Sequence, residues 1–167
     1  VLMVRHCIAL IAAVLLLVCG VQAETHAGAG TGGSQAAPKL PDDFKLNMMI
    51  RSTVIAVNQA NKTNNYTVLR DLGSPRFKEA NSAKKLAEVF AALRKSKFDL
   101  SPVLFFTPKM LSPPALTENG LLRLTGFFDT VPQRVSFDML FENVEGEWLI
   151  YGINIATERS PAAKANN

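Results

Sequence analysis

At Leu100 the spacing of apolar residues changes, and that change limits the fold more than any other feature of the chain. Before it, Leu46, Ile50, Val54 and Val57 recur every three or four residues and Met49 broadens the stripe, the pattern of a helix with one buried face. Asp42 or Asp43 is placed to cap this helix, which runs to about Lys62. A short helical piece at residues 66–72 stops at Gly73, and Ser74-Pro75 opens another turn. Ser82 caps a further helix that carries Leu86, Val89, Phe90 and Leu93 on one face. From Leu100 onward the period is two, which predicts strands at 102–109, 121–129, 134–143 and 147–156. Helices followed by antiparallel strands make an α+β domain, N-terminal helices packed on a curved four-stranded sheet.

Glu145-Gly146 forms a two-residue hairpin turn, and counting outward from it sets a register. Phe141, Met139 and Phe137 then face Ile150, Gly152 and Asn154, and Leu122, Leu124, Gly126 and Phe128 join the same side. That side is apolar apart from Asn154 and must meet the helices. Gly126 and Gly152 fall in mid-strand, where a missing side chain signals a bend or a close approach. The predicted sheet is therefore concave. Its other side carries Phe127, Leu140, Leu149, Tyr151, Ile153 and Ile155 among Arg123, Asp138 and Glu142. An apolar patch of several hundred Å² on a soluble domain usually marks a partner surface. The expected partner is a second copy, in a homodimer through Arg123, Phe127, Asp138, Leu140, Tyr151, Ile153 and Ile155.

Residues 1–23 have the layout of an export signal: Arg5 and His6, an apolar run from Cys7 to Val18, and small residues ending at Ala23. A run of about 12 residues makes roughly 18 Å of helix, short of the ~30 Å of hydrocarbon that a stable membrane span requires. Val1 is read as a bacterial alternative start, so the expected destination is periplasmic or secreted. Cys19 leaves a lipid anchor open, although Val18 before it is larger than that chemistry prefers. Residues 24–40 read as a flexible linker, 41–157 as the domain and 158–167 as a disordered tail.

Both cysteines, Cys7 and Cys19, lie in the export segment, and neither Cys nor His occurs from Lys39 onward. A metal site, a cysteine nucleophile and a histidine base are not expected, and no cofactor is implied. Removing Arg5 takes the net charge from +4 to +3, and the scattered cations lack the dense stripe of a nucleic-acid groove. Asn61-Lys62-Thr63 and Asn65-Tyr66-Thr67 match the glycosylation acceptor pattern, which stays bare in a bacterial chain.

The order of elements resembles the nuclear transport factor two-like superfamily, the cystatin-like α+β cone. The resemblance is carried by Phe90–Val103, by Pro108, Pro113 and Pro114, by Gly120–Phe128 and by Glu147–Gly152. It covers residues 41–157 and is similar to an uncharacterised branch of exported bacterial proteins. Enzymes of that superfamily hold an Asp, His or Tyr inside the cone, so the resemblance makes the interior the place to look. There the register puts Phe137, Trp148 and Asn154, with Tyr66 at the mouth, and no carboxylate or imidazole. The first reading is a non-catalytic module that binds a small apolar molecule or another protein. The alternative is an isomerase- or lyase-type enzyme using Tyr66 with Asp71 or Asp99. A third is a structural envelope component whose interior is filled by its own Phe and Met side chains.

Overall fold

The computed structural model describes residues 38–161. The expected export segment, residues 24–37 of the linker and residues 162–167 of the tail lie outside the described residues. Helix α1, Asp43–Thr63, starts as the sequence dictates: the Asp42 side chain accepts from the Lys45 N–H at 2.8 Å. Its buried face carries Leu46, Met49, Ile50, Val54 and Val57. Four short helices follow: α2 (Thr67–Asp71), α3 (Pro75–Ala80), α4 (Ala83–Val89) and α5 (Ala91–Lys95). Ser74 and Ser82 cap α3 and α4. The single helix expected after Ser82 is broken at Phe90, so Leu86 and Phe90 are buried while Val89 turns to solvent. Among the described residues no helix is long and apolar enough to cross a membrane.

A 3-10 turn at Ser101–Phe105 replaces the first half of the expected strand 102–109. Asp99 accepts from the Ser101 N–H at 3.0 Å, and Pro102 sits where the turn needs no donor. The strands are β1 (Lys109–Met110), β2 (Ala115–Leu116), β3 (Leu122–Phe128), β4 (Gln133–Val144) and β5 (Glu147–Arg159). The short β1 and β2 both pair with one edge of β3, and β4 lies between β3 and β5, all antiparallel. The last strand runs past the expected domain end at 157: Arg159 pairs with Gln133, and the N–H of buried Ser160 donates to Pro132 at 3.0 Å.

The alternation of β3 and β4 follows the hairpin count, with Gly126 opposite Phe137 and Leu122 opposite Phe141. In β5 it holds only to Ile150. A β-bulge then shifts the pairing, so Gly152 faces Leu140, Ile153 faces Met139, Asn154 faces Asp138 and Ile155 faces Phe137. One extra residue in one strand moves everything beyond it to the other face. Ile155 is thereby 9% exposed within the core and Ile153 packs against it, whereas Asn154 turns outward into solvent.

The sheet is open and not strongly curled, which overturns the expected cone. Both glycines that suggested curvature have other uses. A side chain on Gly126 would meet the Lys109 carbonyl oxygen at 2.4 Å and the Phe137 ring at 2.7 Å, so its space is already filled. Gly152 lies beside the bulge, on the outer face. The side of the sheet turned to the helices is packed shut. One core joins Ile50, Val54 and Val57 to Leu122, Leu124, Phe128, Met139 and Phe141, and Phe128 meets Phe137 at 5.6 Å between ring centroids.

Candidate functional site

With the sheet interior filled, the polar chemistry gathers beside the C-terminal half of α1. Val54 and Val57 belong to the buried stripe, and the same three-and-four spacing carries Asn58 and Asn61 to its flank. Asn58, 1% exposed, clamps the turn that follows α5. Its Nδ2 donates to Asp99 Oδ1 at 3.1 Å and Ser101 Oγ at 3.0 Å, and its Oδ1 accepts from the Leu100 N–H at 3.1 Å. Asp99 Oδ1 also takes Lys62 Nζ at 2.9 Å. The Ser101 backbone N–H, the Ser101 hydroxyl and Lys62 hold the Asp99 carboxyl far below the usual carboxylate range.

Tyr66 lies beneath these residues rather than at a mouth. It is 2% exposed and stacks on Phe90 at 6.3 Å between centroids. Its hydroxyl donates to Asn61 Oδ1 at 2.6 Å and accepts from Arg94 Nη1 at 2.7 Å. Arg94 Nη1 also donates to the Ala87 carbonyl at 2.9 Å. A guanidinium only donates, so the tyrosine proton is free for Asn61, and the amide is assigned accordingly, with its oxygen toward Tyr66 and its nitrogen away. That nitrogen, Asn61 Nδ2, is buried with no partner among the described residues.

Above this network is a cleft of about 300 Å³ between α1 and α5. Asn58, Asn61 and Lys62 form one side, Leu93 and Arg94 the other, and Lys97 and Phe98 close it. Lys97 has φ 52°, a left-handed backbone at the helix end where glycine or asparagine is ordinarily found.

Of the residues expected to bind a ligand, Tyr66 alone touches this cleft's network. Phe137 is 3% exposed in the core, Trp148 packs against the core from its edge, and Asn154 lies on the opposite face of the sheet. The residues of the alternative catalytic pair are each engaged in other contacts. Both hydrogen-bond roles of the Tyr66 hydroxyl are taken, Asp99 is tied to Ser101, Asn58 and Lys62, and Asp71 pairs with Arg70 at 3.1 Å on the surface. Asn58, Asn61, Arg94 and Lys97 were not singled out as site residues by sequence reasoning. Two asparagines continuing a buried stripe were the available signal.

The residues expected in a dimer seam also divide. Arg123 and Asp138 form a bidentate pair at 3.0 and 2.6 Å within one chain, and the Thr125 hydroxyl adds a bond at 3.2 Å. The Arg123 guanidinium lowers the Asp138 carboxyl from its ordinary value. Guanidinium groups cover the outer rings: Arg134 lies 4.0 Å over Phe127 and Arg76 lies 4.8 Å over Tyr151. Leu140 is half-buried, and Ile153 and Ile155 belong to the core side. The most exposed large apolar side chains are elsewhere, on Phe105 at 89% and Phe44 at 76%.

No family model, curated protein or solved structure matches the chain. Together with the open, uncurled sheet, this removes the nuclear transport factor two-like assignment and the cone that it implied.

Proposed function

We propose that this chain is an exported, non-catalytic binding module whose small-ligand site is the cleft between α1 and α5. The observation that carries this reading is the open, partly apolar cleft lined by Asn61, Lys62, Leu93, Arg94, Lys97 and Phe98, beside which the Asn61 Nδ2 donor is buried with no partner among the described residues. Burying an amide donor without a bond costs about 1–3 kcal/mol, a cost that a ligand's acceptor would offset. A cleft of about 300 Å³ is at the small end of ligand sites and suits a compact molecule. Export rests on the layout of residues 1–23, and the bacterial envelope or medium is the corresponding location.

Self-association through the outer face of the sheet has less support. With Ile153 and Ile155 turned to the core and the Phe127 and Tyr151 rings under arginines, Leu140 and Leu149 are the apolar side chains left to such an interface. Proton-transfer catalysis by Tyr66 is likewise the weaker reading, since its hydroxyl is committed on both sides.

Titration of the 15N-labelled full chain with benzoate tests the site. Saturable amide shifts are expected at Asn61, Lys62 and Leu93 to Phe98, with a Kd on the order of 1–10 mM for so small a probe. Shifts confined to β4 and β5, or no saturable shift, would contradict the proposal.

A further inference from the structure

Resting on that cleft as the binding site, we infer that its ligand is a small organic carboxylate with an apolar body. The polar groups of the residues that line the cleft divide unequally. Its amide acceptors are occupied, Asn58 Oδ1 by the Leu100 N–H and Asn61 Oδ1 by the Tyr66 hydroxyl. Its free groups are donors: Asn61 Nδ2 lacks a partner, and Arg94 bonds through Nη1 alone among the described residues. Lys97 makes no ion pair or side-chain hydrogen bond among the described residues. A ligand that satisfies this set must accept hydrogen bonds rather than donate them.

Charge points the same way. The residues that line the cleft include Lys62, Arg94 and Lys97 and no carboxylate, and of these cations Lys62 is paired with Asp99, which also accepts from Ser101 and Asn58. The remaining cations favour an anion, and a planar carboxylate matches an arginine edge. Leu93 and Phe98 supply the apolar walls, which a bare inorganic ion would leave in water. The backbone at Lys97 allows a substitution that separates charge from fold. A lysine in the left-handed region is held against its conformational preference, and its side chain borders the cleft.

The test compares benzoate with benzyl alcohol, its neutral analogue, by amide shifts in the full chain and in Lys97→Gly and Lys97→Gln. Benzoate is expected to bind about tenfold or more tightly than benzyl alcohol. Both variants should lose about three- to tenfold in benzoate affinity while their weak affinity for benzyl alcohol stays unchanged. The Tm of Lys97→Gly should be unchanged or higher, because glycine suits this backbone. Equal affinity for the two probes would overturn the anion preference while leaving the cleft as a small-ligand site. Benzoate affinity unchanged in both variants would overturn the role of Lys97 and the carboxylate inference with it. Inorganic phosphate displacing benzoate at equal concentration would overturn the apolar-bodied ligand. No shift at the cleft with either probe would remove the binding site itself.

Discussion

Phe137→Ala is expected to lower the unfolding free energy by about 3–5 kcal/mol in a urea titration, at an unchanged m-value. The ring is almost fully buried, meets Phe128 at 5.6 Å and fills the space that Gly126 leaves open. Its loss removes the transfer free energy of a phenyl group and leaves a cavity that β1 and β3 cannot collapse into, because the Lys109 carbonyl is already against Gly126. A ring lining an open ligand chamber would lose much less, since one of its faces would already meet water. A cost below about 1 kcal/mol would therefore mean that the interior is not packed as described.

Ile155→Lys should have a larger effect and Asn154→Lys almost none. Beyond the bulge, Ile155 faces Phe137 across the pair and lies in the core, so a lysine there buries an ammonium among apolar side chains. Against a typical domain stability of about 5–15 kcal/mol, the expected result is a protein largely unfolded at 25 °C by circular dichroism. Asn154 faces Asp138 on the solvent side, and a lysine at that position should change stability by no more than about 0.5 kcal/mol. The reverse order, with Asn154→Lys destructive and Ile155→Lys tolerated, would mean that β5 alternates without a bulge.

These two substitutions mark where the chain is readable from its sequence and where it is not. The cap at Asp42, the stripe of α1 and the Glu145-Gly146 turn are local, each set by a few neighbouring residues, and each appears where its residues call for it. The alternation of β3 and β4 is likewise set by one apolar residue in two. In β5 both phases are apolar, Trp148 and Ile150 on one side and Ile153 and Ile155 on the other. Only a bulge brings all four to the helices. A regular count from the turn passes over that solution and reverses Asn154, Ile153 and Ile155. Curvature, inferred from two glycines, failed for a related reason: what occupies the space beside a glycine depends on strands distant in sequence, here β1 against Gly126. The cleft was hidden because its framework joins Asn58 to Asp99 and Asn61 to Arg94 through Tyr66. Nothing in their spacing brings those residues together before the helices pack.

The most direct measurement is the position of the bromine in crystals of the full chain soaked with 4-bromobenzoate, read from its anomalous scattering. A bromine peak is expected against Leu93 and Phe98, with the carboxylate within hydrogen-bond reach of Arg94 beside Asn61. A peak between the helices and the sheet, beside Phe137 and Trp148, would contradict it: the interior would then be open, and the helix-side cleft would not be the binding site.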